Sequence, residues 1–418
     1  MPVDATASEL SPPERRELKA ALARSQVRAR RRAFLLVLPL LAFVFFSFVM
    51  PIGQMLHRSM HNPAFSDNMP AITGWFQENP PGTEPDEAAF AALVSDLVDT
   101  AAARTIGVVG TRVNYEMSGT RSLFTAAGRQ AARLEAPFAE SLPAVNATWA
   151  SDELWAAMRN VSAPYTANFY LAAVDMTRDM DGNITAAPAE RQVYVGLYLR
   201  TLVLSLTITG LCLLLGFPVA HLLATLPLRY SNLLMILVLL PFWTSLLVRT
   251  TAWIAILQGQ GVLNSALVAL GIISDSNRLS MVYNQTGTII AMTHILLPFM
   301  VLPLYSVMRT INPAYARAAR SLGATSWTTF RRIYLPQTLP GIGAGSLLVF
   351  ILAVGYYITP ALVGGASGQL ISNLIAFHMQ NSLNWSLAAA LAALLLAVVL
   401  LLYWLYDRLI GIDNMKLG

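Results

Sequence analysis

The sequence predicts an all-α membrane protein with six transmembrane helices, and three observations support this fold class. Of 418 residues, 55% are hydrophobic and only 12% are charged, a balance typical of chains that lie in lipid. The mean hydropathy is positive. Six apolar stretches are long enough, at about 1.5 Å per helical residue, to cross roughly 30 Å of hydrocarbon. They cover residues 33–55, 195–224, 233–257, 286–307, 341–363 and 385–405.

Basic residues predict the orientation of these spans, because the cytoplasmic flanks of membrane proteins collect Lys and Arg. The tail before the first span, residues 1–32, holds seven Arg and one Lys. We therefore expect a cytoplasmic N-terminus, and six crossings return the C-terminal tail, residues 411–418, to the same side. The acids agree, since 17 of the 23 Asp and Glu fall in the segments expected outside, 56–194 and 258–285. The first span is expected to be a retained anchor rather than a cleaved signal peptide.

A polar insertion, residues 56–194, separates the first and second spans and holds 16 Asp and Glu against nine Arg. Apolar residues recur at helical spacing over 87–109 and 121–142, which predicts amphipathic helices there. An insertion of this length predicts a small, mostly helical domain on the outer side, packed on the membrane-embedded part of the chain.

Several function classes are disfavoured by what the sequence lacks. The two lysines, Lys19 and Lys416, follow no glycine-rich loop that could cradle nucleotide phosphates, and no nucleophile-elbow pattern occurs. The five histidines show no ligand spacing with carboxylates, and the single Cys212 excludes a cysteine metal site, so we expect no metal and no cofactor. No catalytic residue is predicted. The basic tail is explained by membrane topology, so no nucleic-acid partner is expected.

The segment between the fourth and fifth spans, residues 312–338, has the signals of two short cytoplasmic helices. Asn312 is a good helix cap, Pro313 suits a first helical position, and Gly323 suits a left-handed stop after a helix over 313–322. Thr325 or Ser326 can cap a second helix that runs to residue 333. Exposed small residues between arginines are typical of a surface on which a soluble partner docks. We call residues 312–338 the coupling segment.

This segment resembles the EAA loop of permease subunits from binding-protein-dependent ABC importers, whose pattern is Glu-Ala-Ala-x3-Gly-x9-Ile-x-Leu-Pro. The chain differs at one position, because Arg317 stands where the family usually has glutamate. In that family the loop rests in a groove of the ATPase subunit. The resemblance assigns this coupling role to Arg317, Ala318, Ala319, Gly323, Ile333, Leu335 and Pro336.

Two further stretches are similar to the spermidine/putrescine-type branch of the family. Residues 240–253 resemble its third span, and residues 355–365 resemble its fifth-span exit. Polyamine members often carry an acid after the first glycine of the second stretch, whereas this chain has Tyr356. Aromatic rings can replace part of the water around a cation, but such residues also serve in packing. Arg249 either reaches the membrane interface beside Trp253 or lines the pathway. The candidate pathway residues are Trp243, Thr244, Arg249, Tyr356 and Tyr357.

The resemblance covers about 195–410 plus the first span and implies a type I ABC importer transmembrane domain in a bacterial inner membrane. Residues 195–410 would form the permease core, and 56–194 a periplasmic insertion that receives the solute-binding protein, caps the pathway, or does neither. Implied partners are two ATPase subunits, which hold ATP and magnesium, a second permease subunit of different sequence, and a periplasmic solute-binding protein. The implied solute is a polyamine, or alternatively an opine or other small nitrogenous compound.

Two other classes of function are alternatives to an importer subunit. A secondary transporter working alone would need coupling-ion ligands in the membrane and usually a second homologous half, neither of which the sequence offers. A membrane-anchored sensor or scaffold would bind a ligand outside and recruit a partner inside, and it predicts no solute flux.

Overall fold

The computed structural model describes residues 12–179 and 181–410, with side chains from residue 23 to residue 408. Residues 1–11 of the predicted basic tail and the whole predicted tail 411–418 lie outside the described residues. The chain divides into a unit ending at Arg58 and a unit beginning at Ser59. The described part of the first unit is α1 (Pro12–Val44), a π-helical turn (Phe45–Val49) and α2 (Met50–Arg58), which contain the first apolar span.

The insertion in the second unit is a small helical bundle that ends in a hairpin. Its antiparallel strands pair Met176 with Ala186 and Arg178 with Ile184. The elements are α3 (Pro70–Glu78), α4 (Glu87–Ala102), α5 (Ile106–Asn114), α6 (Thr120–Gln130), α7 (Phe138–Val145), α8 (Asp152–Ser162), α9 (Asn168–Ala172), β1 (Met176–Arg178) and β2 (Ile184–Ala186).

The two amphipathic helices predicted for the insertion are each divided in the structure. The first, 87–109, becomes α4 and α5, because Arg104 adopts a left-handed conformation (φ 59°) that no helix continues through. The second, 121–142, becomes α6 and α7, separated by a 3-10 turn and by Pro137. The resulting short helices enclose a core of their own.

Carboxylates of the insertion hold its helix ends through hydrogen bonds between elements distant in sequence. Asp96 in α4 accepts hydrogen bonds from the amides of Ala71 and Ile72 at the start of α3, at 3.2 and 2.8 Å. Burial raises the pKa of the Asp96 carboxyl, and these two amide hydrogen bonds oppose that rise. Glu87 likewise accepts the free amides of Phe138 and Ala139 at the start of α7, which fixes α4 against α7.

The insertion is joined to the membrane-embedded part by several contacts. Asp175, just before β1, accepts hydrogen bonds from the amides of Val193, Tyr194 and Val195, at 2.8 to 3.0 Å, and so caps the second span. Phe169 of α9 belongs to the same buried cluster as Leu391 of the sixth span. These contacts within the second unit fix the insertion on the second and sixth spans.

Six helices of the described residues are long and apolar enough to cross a membrane, which confirms the predicted fold class. The chain is therefore a multi-pass membrane protein. The domain boundaries and the sides of the membrane on which they lie stay predictions. The remaining helices are α10 (Tyr194–Thr225), α11 (Leu228–Leu239), α12 (Leu246–Leu257), α13 (Val262–Ala269), α14 (Gln285–Thr310), α15 (Pro313–Ser321), α16 (Ser326–Thr329), α17 (Leu335–Gly355), α18 (Ile358–Val363), α19 (Gly365–Gly368), α20 (Ile371–Gln380) and α21 (Trp385–Ile410).

The second, fourth and fifth spans, α10, α14 and α17, form the centre of the membrane-embedded part. Glycines allow their backbones to approach closely around Met300 of α14. A Cβ atom at Gly345 of α17 would stand 2.8 Å from the Met300 sulfur, and one at Gly216 of α10 would stand 3.0 Å from its Cγ. Small residues at such crossings are typical of helix packing in membranes, where close van der Waals contact replaces the hydrophobic effect.

The third and fifth spans, which hydropathy places over 233–257 and 341–363, are interrupted. The third span leaves helical conformation at Thr244 and Ser245, after a 3-10 turn (Leu240–Trp243) that contains Pro241. The fifth span breaks at Tyr356. Pro360 explains this break, because its ring in a continuous helix would clash with the carbonyl four residues earlier, that of Tyr356.

Candidate functional site

The coupling segment has a well-defined start and stop. The side chain of Asn312 accepts a hydrogen bond from the amide of Ala314 at 2.9 Å, and Pro313 occupies the first position of α15. Gly323 follows the helix in a left-handed conformation (φ 83°) with open space around it, so the predicted stop is present. The side chain of Thr325 caps α16, which leads through a π-helical turn (Phe330–Tyr334) directly into the fifth span.

The predicted coupling residues divide between an exposed face and a half-buried face. Exposed residues are Arg317, Ala318, Gly323 and Pro336, and half-buried residues are Ala319, Ile333 and Leu335. Three large apolar side chains that the motif did not indicate are exposed beside them: Leu322 (88%), Trp327 (67%) and Tyr315 (56%). Exposed apolar residues that cluster in a segment outside the spans are typical of a protein-binding surface.

Aromatic rings connect the coupling segment to the second span. Trp327 stacks on Phe330, and Phe330 stacks on Tyr334, with ring centroids 5.7 and 6.1 Å apart. Phe330 also meets the edge of Phe217 in α10, and the Tyr334 hydroxyl lies 2.9 Å from Nδ1 of His221 one turn further along α10. The coupling segment is therefore in side-chain contact with α10 and continuous with α17.

A cavity of about 590 Å³ lies between α15 and the ends of α10 and α14. Pro313, Tyr315, Ala316 and Arg320 line it, which shows that these residues of α15 face the spans. Arg317 does not line the cavity and is exposed, although it lies on the side of the helix next to Arg320. Arg309 closes the inner wall by donating a hydrogen bond to the carbonyl oxygen of Ala224 at 2.9 Å.

The break in the fifth span is held open by side chains of α20. The Ser372 hydroxyl donates to the Tyr356 carbonyl at 2.6 Å, and the Asn373 side chain donates to the Tyr357 carbonyl at 2.7 Å. Unwound backbone at membrane depth needs such internal partners because lipid offers none. Tyr356 is half-buried and Tyr357 is 40% exposed.

Arg249, in the second half of the third span, is half-buried. Its Nε atom is buried and has no hydrogen bond among the described residues. The guanidinium lies within electrostatic range of His294 in α14 and of Tyr356 at the fifth-span break. Nearby, the Trp253 indole donates to Nδ1 of His294 at 3.1 Å. The structure therefore brings Arg249 and Tyr356 to one place.

The two remaining pathway candidates lie at the break in the third span. Trp243 is 84% exposed, and its ring contacts neither Tyr356 nor Tyr357 in the described part of the chain. The Thr244 hydroxyl donates to the carbonyl of Pro241 at 2.7 Å. Each interrupted span thus presents two candidate pathway residues at its break. The second half of the third span contacts α18 through a 3.2 Å hydrogen bond between Thr250 and Thr359.

Sequence reasoning missed the polar residues that support the breaks and the apolar residues of the docking face. Ser372 and Asn373 follow Tyr356 and Tyr357 by 16 residues, and no local pattern links them. Leu322 had a signal, since a leucine directly before a left-handed glycine stop outside a span cannot be buried by the helix it ends. Among residues 12–179 and 181–410, no three His, Cys, Asp or Glu side chains gather as a metal site.

Several known proteins are similar to this chain. Residues 212–410 match the family described as binding-protein-dependent transport system inner membrane component. The spermidine/putrescine transport system permease protein PotB of Escherichia coli is 39% identical over 222 residues, which are 52% of this chain and 80% of that protein. PotB of Haemophilus influenzae is 36% identical over 254 residues, 59% of this chain and 88% of that protein. Both matches cover most of the relative.

The fifth-span break gives a first testable prediction. Replacing Ser372 by Ala leaves the Tyr356 carbonyl without its donor, which costs about 1–3 kcal/mol for a buried polar group. We expect the thermal unfolding midpoint of the purified protein in detergent to fall by roughly 2–4 °C. Ser346 in α17 has no side-chain hydrogen bond among the described residues, so Ser346→Ala serves as the matched control. An unchanged midpoint for Ser372→Ala would show that the break is held by other contacts.

Proposed function

This chain belongs to the family of binding-protein-dependent transport system inner membrane components, and we propose that it is a transmembrane permease subunit of an ABC importer. The observation that carries the proposal is the coupling segment: a capped helix with a glycine stop, exposed apolar residues on one face, and an aromatic connection to two spans. Such a segment suits a device that passes motion from a soluble subunit to membrane helices.

The proposed topology places both termini and the coupling segment in the cytoplasm and the insertion in the periplasm of a bacterial inner membrane. The distribution of charge supports it. Arginines collect before the first span and in the coupling segment, whereas the insertion is acidic. Under this topology the exposed faces of α15 and α16 are accessible to cytoplasmic proteins.

The proposed partners are two ATPase subunits, which hold ATP and magnesium, a second permease subunit of different sequence, and a periplasmic solute-binding protein. This chain would take no part in nucleotide chemistry. Its seven predicted coupling residues, together with Leu322, Trp327 and Tyr315, would form the surface that enters a groove of one ATPase. We propose no nucleic-acid partner.

The proposed transport step is alternating access driven by closing and opening of the ATPase pair. The breaks at Thr244 and Tyr356 support it, because interrupted helices supply exposed backbone groups and joints at membrane depth. Trp243, Thr244, Arg249, Tyr356 and Tyr357 would line the path. The insertion, fixed on the second and sixth spans, would either receive the binding protein or cover the path.

The proposed solute is a polyamine, because the relatives are named spermidine/putrescine permeases. A second candidate, an opine or other small nitrogenous solute, is favoured by one observation. Arg249 is directed to the fifth-span break, and no Asp or Glu occurs between Glu190 and Asp275 or between Asp275 and Asp407. A polycation there would find aromatic faces but no acidic partner from this chain.

The docking role is tested at the glycine stop. Gly323→Pro cannot keep the left-handed conformation, and Ala319→Glu places a charge on a half-buried face of α15. We expect both variants to enter the membrane but to lose solute-stimulated ATP hydrolysis in the reconstituted complex. Gly271 has the same conformation (φ 70°) and equally open surroundings in a loop expected outside, so Gly271→Pro should retain activity. Full activity of both coupling variants would remove the docking role.

The apolar part of the surface is tested separately at Leu322. If an ATPase groove buries this side chain, Leu322→Ala removes at most the transfer free energy of a fully buried leucine, about 1.5–3 kcal/mol. We expect the apparent affinity for the ATPase subunit, titrated in proteoliposomes, to fall roughly tenfold. Leu270 directly precedes Gly271 and is 73% exposed, so Leu270→Ala is the control for loss of an exposed leucine. Equal affinities for the two variants would mean that Leu322 is not covered.

The solute is tested with the complete importer. We expect putrescine or spermidine, presented by the cognate binding protein, to stimulate ATP hydrolysis and to appear inside proteoliposomes. The reason is that this chain is similar in sequence to proteins named as spermidine/putrescine permeases. Stimulation by a carboxylate-bearing nitrogenous solute with no response to polyamines would favour the second candidate. Uptake by this chain without any ATPase would contradict the importer proposal altogether.

A further inference from the structure

The coupling segment carries positive charge that no described acidic side chain neutralises. Between Asp275 and Asp407 no acidic residue occurs, while the segment and its approach contain Arg309, Arg317, Arg320, Arg331 and Arg332. Arg309 donates a hydrogen bond to the Ala224 carbonyl. The side chains of the other four form no hydrogen bond or ion pair with any residue that the structure describes. The segment is thus a uniformly cationic surface.

Arg317 differs from the other arginines by its position on α15. Arg320 lines the cavity below α15, whereas Arg317 does not line it and is exposed next to Ala318. The exposed Leu322 and Trp327 follow on the same segment. A subunit that covers these apolar side chains therefore also covers or borders Arg317.

We propose that the groove receiving this segment is acidic, with an Asp or Glu placed to pair with Arg317. This permease would then be specific for an ATPase whose groove is negatively charged at this position, opposite to the positive charge that would suit a glutamate. The inference rests on the proposed function, since it describes the partner that the coupling segment fits. The contact would be an Arg–carboxylate pair at the edge of an apolar anchor.

The charge argument follows from the cost of covering an unpaired cation. Covering a guanidinium without giving it a carboxylate partner destabilises the complex, and placing it against another guanidinium destabilises it further. A groove built with a basic residue to receive the family glutamate would therefore repel this segment. Because the arginine fork matches a carboxylate in two hydrogen bonds, an acid in the groove converts the same position into an attractive contact.

The charge of Arg317 affects which ATPase the permease accepts. A cell with several importers of this family holds several ATPases that resemble one another, and a charge reversal at one docking position discriminates between them by attraction and repulsion together. The apolar residues supply affinity for any such groove, and Arg317 supplies the selection.

The test measures the apparent affinity of the purified cognate ATPase for the complete permease pair in proteoliposomes, from ATP hydrolysis as a function of ATPase concentration. We expect Arg317→Glu to lower this affinity at least about tenfold, Arg317→Ala to lower it less, and Arg317→Lys to retain most of it. Raising the salt concentration should weaken wild-type binding more than binding of Arg317→Ala. Arg229, exposed at the start of α11 without a side-chain hydrogen bond among the described residues, gives the control Arg229→Glu with the same change in net charge.

Two results separate this inference from the proposed function. Arg317→Glu with unchanged affinity and unchanged salt dependence, while Leu322→Ala still weakens binding, would overturn the charge inference and leave the docking role intact. Failure of wild-type permease to bind any ATPase would instead remove the proposed function. Restoration of binding to Arg317→Glu by changing one groove acid of the ATPase to Arg, at the position that cross-links to residue 317, would identify the pairing directly.

Discussion

The close packing of α14 against α17 is the constraint on which the rest of the membrane-embedded part depends. A side chain at Gly345 would collide with Met300, and a Cβ at Gly341 would stand 3.1 to 3.2 Å from Val307 and Leu304. The two helices can therefore approach only because α17 lacks Cβ atoms on that side. Such an interface resists sliding, since any change of register brings glycine positions under neighbouring side chains.

This rigid pair has the two functional regions at its opposite ends. The coupling segment connects the last turn of α14 to the first turn of α17, and the break at Tyr356 begins where α17 ends. From α16 through the π-helical turn and α17 the chain reaches the break without an intervening loop. The ring of Tyr334 adds α10 through His221, so the lever includes a third span. The flexible element is the broken backbone itself, held by the side chains of Ser372 and Asn373 rather than by helical hydrogen bonds.

The sequence predicted what is encoded locally and missed what is encoded by distant contacts. The start of α15 at Asn312 and its stop at Gly323 depend on the chemistry of single residues, so both were found. Hydropathy gave the number of spans but was insensitive to backbone breaks, because Thr244, Ser245 and Tyr356 hardly change a window average. Pro360 was a usable signal for the second break, since the carbonyl it excludes lies four residues earlier. Arg104 had no signal, because a left-handed arginine is stabilised only by the fold around it. The support from Ser372 required tertiary structure.

One set of arginines can satisfy two physical requirements in this chain. Positive charge beside a span favours the cytoplasmic side, and a glutamate at position 317 would have weakened that bias only slightly, because acids contribute little to topology. Membrane insertion therefore does not explain why an arginine stands there. Stability of α15 does not explain it either, since Arg317 has no side-chain partner within residues 12–179 and 181–410. Under the docking proposal, Arg317 therefore acts through the subunit that covers the exposed part of α15.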